Sequence, residues 1–213
     1  MDPVRRRTVT SLSAALALAA APALRAQAAP YTTLRAALPV ESPDKIEIAE
    51  FFWYGCIHCY NLEPALEAWV PKLPADAYFR RIPAVFNERW AIDAAIFYAF
   101  DSMGVLGKLH RPFFDAIHKD RLKTDDPAAL NEWLGRNGVD PKKFEAAIKS
   151  FGVQSKVKRA AQVTAGARID GTPSLMVQGR YTISTEQGGS HDGMLANAVR
   201  LIPVARKTLT ATK

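Results

Sequence analysis

Lys45-Ile46-Glu47-Ile48-Ala49-Glu50-Phe51-Phe52-Trp53-Tyr54-Gly55-Cys56-Ile57-His58-Cys59-Tyr60 is the stretch that decides the fold. Its first half, Lys45 to Phe52, is rich in Ile and Phe and reads as a strand. Its second half opens a helix over 56–69, with Leu62, Leu66 and Trp69 among the apolar positions. Pro64 interrupts that helix, so a kink is expected there. Cys56 and Cys59 are the only two cysteines of the 213-residue chain. Random placement would give their spacing roughly once in a hundred such chains. Two thiols within one turn at a helix start suit a disulfide that forms and breaks. A stapling disulfide gains by closing a long loop, and this one closes almost none. A zinc site needs four ligands, and there is no second CxxC or CxxH to supply the other two.

Outward from this segment, Tyr78 to Phe86 reads as a second strand that passes through Arg80 and Arg81. Strand, helix, strand implies a parallel pair joined by a right-handed crossover. From about Arg89 to Ala165 the pattern is helical, with about five helices in succession. Ile92, Ile96 and Phe100 share one face, and Phe113, Phe114 and Ile117 begin another apolar stripe. Asp126-Pro127 and Asp140-Pro141 each read as an N-cap followed by proline at the first helical position. Strand character returns at Ser174 to Val177, after Asp170-Gly171-Thr172-Pro173. Gly179-Arg180 reads as a hairpin turn into Tyr181-Thr182-Ile183. Gly188-Gly189 breaks the chain, and His191 to Arg206 forms a closing helix with Met194, Leu195, Ala198 and Leu201 buried. Residues 29–44 are Pro-rich and read as an irregular arm. The plan is a mixed α/β fold with a helical insertion.

The first residues have the pattern of an export signal, residues 1–28. Arg5, Arg6 and Arg7 lead, an apolar stretch runs from Leu12 to Leu24, and Ala26 and Ala28 flank Gln27 at a cleavage pattern. That stretch is too short to span a bilayer. Sec and twin-arginine export both stay open. Removing residues 1–28 takes away four arginines and one aspartate, so the formal net charge falls from +7 to +4. No basic cluster is interleaved with aromatics, which argues against nucleic-acid binding. About 185 residues remain, enough for one domain with a full core or a small domain with an insertion. Export to an oxidising compartment would let a dithiol pair be held oxidised.

Glu50 to Tyr60, together with Gly171-Thr172-Pro173 far downstream, resembles the bacterial DsbA family of periplasmic thiol:disulfide oxidoreductases. The resemblance covers essentially the whole chain after the signal. It implies a thioredoxin-like domain in two parts, 29–87 and 167–213, around an all-helical subdomain, 88–166. It assigns Cys56 as the exposed nucleophile and Cys59 as its buried partner. The helix N-terminus at Cys56 would favour a thiolate. His58, inside the loop, could favour it further. Pro173 corresponds to the cis-proline facing the dithiol, and it would hold Thr172 so that its backbone pairs with an extended client. The family also carries an acid at the position of Glu50. Period-2 alternation places Glu50 with Ile46, Ile48 and Phe52, and an acid on that apolar face should resist ionisation and exchange a proton as Cys59 reacts. Glu63 either adds to the local field or lies on a solvated helix face. Trp53, Tyr54 and Tyr60 either surround the thiols partly exposed or pack in the core. His110, His118 and His191 are expected as surface or packing residues. The family has proline after the first cysteine where this chain has Ile57.

The resemblance implies a periplasmic monomer that needs no metal or cofactor and donates the Cys56–Cys59 disulfide to unfolded exported proteins with free cysteines. A DsbB-type inner-membrane quinone reductase would reoxidise it. The alternatives are an isomerase or reductase of the same fold and, from another class, a periplasmic copper or zinc carrier using the two cysteines and a histidine.

Overall fold

Every residue of β2, Ile46–Phe52, is buried, because this strand lies inside the sheet and carries side chains into cores on both of its faces. The computed structural model describes residues 29–211; the signal expected over 1–28 lies outside them. Five strands form one sheet in the order β1-β5-β4-β2-β3, with β1 at Thr32–Thr33, β3 at Ala77–Pro83, β4 at Ser174–Val177 and β5 at Tyr181–Ser184. β2 and β3 are parallel, joined through α1, Ile57–Trp69, and a 3-10 turn at Val70–Lys72. All other pairings are antiparallel. This is the strand–helix–strand and closing hairpin of a thioredoxin-like fold.

Alternation along β2 divides the packing. Ile46 and Ile48 meet Leu62 and Leu66 of α1 and Met194, Ala198 and Leu201 of α8, His191–Ala211. Ala49 and Phe51 meet Ile82, Met176 and Ala160, the last from α6, Phe151–Gly166. Phe52, at the strand end, enters a third core made by the first four of the five helices between β3 and β4. The five are α2, Glu88–Ser102; α3, Leu106–His118; α4, Pro127–Arg136; α5, Pro141–Ile148; and α6. Five helices therefore follow one another without an intervening strand, as the pattern implied. Asp126 and Asp140 cap α4 and α5 by accepting from the second and third amides of each helix, which satisfies donors left over at a helix start.

Several local expectations needed correction. The arm over 29–44 contains β1, which pairs with β5, and Leu34 is buried beneath it. β3 ends at Pro83, three residues before the expected end at Phe86. Ile92 is 39% exposed, because the second turn of α2 instead carries Asp93 inward to Trp53 and Thr124. The hairpin turn centres on Gln178 and Gly179, both at positive φ. A Cβ at Gly179 would run into the Leu38 carbonyl oxygen, so only glycine fits there. A short helix, α7 at Thr185–Gly188, opened by a capping box at Ser184 and Gln187, precedes α8. Pro64 lies inside α1 and does not end it.

Candidate active site

Cys56 is the N-cap of α1. Its backbone is extended, and its sulfur accepts from the Cys59 amide at 3.4 Å. A residue at this position faces amides that have no partner within the helix, and their partial positive charge favours an anion. Cys56 is partly exposed and Cys59 buried. The Cys56 pKa falls from 9.0 to about 5. The chief cause is the Cys59 thiol donating to it; burial opposes the fall, and the Thr172 side chain and the amides of Cys59 and His58 add to it. Burial pushes the Cys59 thiol well up. Two sulfurs three residues apart are thus driven in opposite directions.

The downstream segment faces the dithiol from the start of β4. The Thr172–Pro173 bond is cis, and the Cys56 sulfur lies 3.3 Å from the Thr172 carbonyl oxygen, to which its thiol form donates. Ile57 is 48% exposed. His58 is exposed as well; its amide, rather than its imidazole, is directed to the Cys56 sulfur.

Behind the dithiol lies a group of buried charges. Glu50 is fully buried, and burial raises its pKa to about 8, against the lowering effect of Arg81. Neither of its carboxyl oxygens makes a hydrogen bond, although Arg81 Nε approaches one of them to 3.3 Å. That approach has ion-pair distance without hydrogen-bond direction. Arg81 aims its donors at Glu63 instead, Nε to Oε1 at 3.2 Å and Nη2 to Oε2 at 2.7 Å. Glu63 is fully buried, so the solvated-face reading does not hold. Burial pushes its pKa up, but His110 and Arg81 outweigh this and hold it below the ordinary carboxylate value.

Tyr54 is buried, with its hydroxyl 2.9 Å from His110 Nδ1. His110 Nε2 is 3.3 Å from Glu63 Oε1. His118 Nε2 donates to the Tyr54 carbonyl at 2.8 Å and its ring stacks on Tyr60. Trp53 and Tyr60 are partly exposed; Trp53 donates to Asp93 and stacks on Trp90, and Tyr60 donates to Asp115. His110 and His118 are thus both bonded to Tyr54, two residues before Cys56, whereas His191 is the first residue of α8. A signal for His110 was present in the sequence: it lies three and four residues before Phe113 and Phe114, on the face that α3 buries. Arg81 also had one, because β2 and β3 in parallel register place it beside Glu50.

Among the described residues, no group of three or more His, Cys, Asp or Glu side chains is placed to hold a metal ion. No described helix is long and apolar enough to cross a membrane.

A helix-capping thiol of low pKa, a buried partner and a facing Thr-Pro segment on this sheet define a thioredoxin-fold dithiol–disulfide oxidoreductase. Residues 80–199 match the family model described as a DSBA-like thioredoxin domain. The chain is 40% identical over 176 residues to the thiol:disulfide interchange protein DsbA of Azotobacter vinelandii, covering 83% of this chain and 82% of that one. It is 36% identical over 201 residues to the protein of that name from Pseudomonas aeruginosa, covering 92% and 95%. A crystal structure of Pseudomonas aeruginosa DsbA superposes with a TM-score of 0.80 at 36% identity, over 87% of this chain and 95% of that one. The oxidoreductase NmDsbA1 of N. meningitidis gives 0.75 at 27% identity, over 86% and 95%. The chain belongs to the DsbA family, and it is a thiol:disulfide oxidoreductase.

Proposed function

We propose that the protein is a periplasmic oxidant whose Cys56–Cys59 disulfide passes to exported proteins carrying free cysteines. The observation that carries this reading is the opposed titration of the two sulfurs, Cys56 lowered to about 5 and Cys59 raised. A client thiolate attacks Cys56 Sγ, the Cys56–Cys59 bond breaks, and its electron pair goes to Cys59. The Glu50 carboxyl gives its proton to the Cys59 sulfur and becomes a carboxylate beside Arg81, to be reprotonated from solvent. A second client thiolate then attacks the client sulfur of the mixed disulfide and expels Cys56 as a stabilised thiolate. The client ends oxidised by two electrons and the dithiol ends reduced. Thr172, beside Pro173 and facing Cys56, offers backbone to an extended client segment as an added strand. His58 contributes its amide to the thiolate. Reoxidation falls to a quinone-linked inner-membrane partner of the DsbB type, as in the family, and the protein works as a monomer.

The test is trapping. Cys59→Ala should accumulate mixed disulfides with exported proteins on non-reducing gels, while Cys56→Ala traps none. Equal trapping by both variants would overturn the assignment of roles. Equilibration of the wild-type pair with glutathione then separates oxidant from isomerase or reductase: a pair that stays oxidised at reducing glutathione ratios refutes the oxidant reading.

A further inference from the structure

Two buried carboxylates compete for one guanidinium behind the dithiol, and they are treated unequally. Glu63 receives a forked pair of hydrogen bonds from Arg81, while both oxygens of Glu50 are left without one. What separates them is a third donor. Glu63 can only accept at its ionised oxygens, so the proton of His110 belongs on Nε2, and Nδ1 is then free to accept from the Tyr54 hydroxyl. The chain of bonds runs from Tyr54 to His110, to Glu63, to Arg81, and stops short of Glu50.

We propose that His110 is a positioning residue for the dithiol: by holding Glu63 against Arg81, it keeps that guanidinium turned away from Glu50 and so leaves Glu50 as the proton carrier beneath Cys59. His110 touches neither sulfur. It acts through Glu63 and Arg81, and it belongs to α3, so the helical layer sets a property of the thioredoxin-like layer. Its ring packs edge-on against Phe52, Phe97 and Phe114, an apolar setting that lowers its own pKa by burial. The charged groups facing it are Glu63 and Glu67 from α1 and Arg81 from β3. Glu50 in turn is faced by Arg81, Glu63 and Cys56, and by Cys59, whose thiol feels the Glu50 charge.

Removing the Nε2–H donor leaves Glu63 with less support for its charge. Arg81 then serves Glu50 more, and Glu50 ionises more readily. The inference rests on the dithiol reading only for its consequence, since the ionisation of Glu50 can be measured without any client. His110→Phe keeps an aromatic ring in the Phe52, Phe97 and Phe114 contacts and removes the donor; His110→Gln restores an N–H that can reach Glu63. Carbon-13 NMR titration of the Glu50 carboxyl in the oxidised protein removes the thiols' own titration. His110→Phe is expected to lower the Glu50 midpoint by about one pH unit or more, a tenfold change in its acidity, and His110→Gln to restore it. A Glu50 midpoint unchanged in His110→Phe would overturn the proposal, whether or not that variant unfolds more easily. So would a His110→Gln variant that titrates like His110→Phe. Client trapping by Cys59→Ala is a separate readout, so failure of the oxidant reading would show there and not in this titration.

Discussion

Consider urea unfolding of the oxidised and the reduced protein between about pH 5 and about pH 8. The perturbation is reduction of one disulfide, and two effects oppose each other. Closing a loop as small as Cys56 to Cys59 restricts the unfolded chain and favours the oxidised fold by about 2 kcal/mol. The reduced fold gains from the Cys56 thiolate, whose pKa falls from 9.0 to about 5. A depressed acid adds stability that is complete above its unfolded value and is lost as pH falls through the folded one. Linkage gives about 0.4 kcal/mol at pH 5, about 2.7 at pH 7 and about 4 at pH 8. Cys56 is partly open to solvent, so screening reduces these figures by about half. Cys59, raised by burial, stays a neutral thiol throughout. Glu50 is raised chiefly by burial; it costs stability as pH climbs toward its folded value, but in both redox forms, and so largely cancels. The reduced form should therefore be less stable by about 2 kcal/mol near pH 5, and level or ahead by up to about 2 kcal/mol near pH 8. The crossing falls between about pH 6.5 and about pH 8. With a urea slope of about 3 kcal/mol/M, the difference in midpoints should swing by about 0.6–1.2 M across the range. A difference that is constant with pH, or that moves against the reduced form as pH rises, would refute the thiolate argument.

Two further outcomes are expected. Ile57 is the first residue of α1, where the backbone N–H has no intrahelical partner, and the amides turned to Cys56 are those of His58 and Cys59. Ile57→Pro should thus leave the Cys56 pKa within about half a unit of the parent, read by thiolate absorbance; a larger shift would show that the Ile57 amide matters to the anion. Asp126→Ala removes the bonds to the Ala128 and Ala129 amides and should cost about 1 kcal/mol of stability, with the glutathione equilibrium unchanged. A redox shift in that variant would mean that α4 is coupled to the dithiol.

Where the chain's own neighbours decide an element, the sequence was readable. The buried β2, the cysteine at the head of α1 and the two Asp-Pro caps each depend on a few adjacent residues. Glu50 was readable too, because strand alternation alone puts it among Ile46, Ile48 and Phe52. What sets its charge was not. His110 lies 47 residues from Glu63 and 56 from Tyr54, and only the packing of α3 against α1 brings them together. For Glu63 the sequence left a solvated face and a part in the local field equally open, because position 63 borders the apolar stripe of Leu62 and Leu66; its burial is made tolerable by Arg81 from β3. The two-residue β1 has too few residues for any period to show; its pairing with β5 is a matter of where the arm is led by Leu34 and Leu38, whose amides donate to Arg180 and Gly179 carbonyls.

The stability comparison and the redox direction are one quantity seen from two sides. Unfolding each redox form and oxidising each folding state close a cycle, so whatever the reduced fold gains over the oxidised one is the amount by which folding weakens the disulfide. An unfolded client has neither the α1 amides nor a neighbouring thiol to hold its thiolate, so each unit of depression at Cys56 favours transfer to the client by about tenfold, above the folded pKa. The same asymmetry creates a difficulty in the first step, which must expel Cys59, a sulfur that burial makes a poor anion. A proton delivered there would remove the difficulty, and in the proposed mechanism it comes from an acid that stays protonated near neutral pH, as Glu50 does with its value near 8. A low-pKa sulfur at the helix N-cap and a raised acid beneath the buried one are therefore two halves of a single requirement. On the positioning role proposed for His110, the charged Glu63 serves that requirement by occupying Arg81.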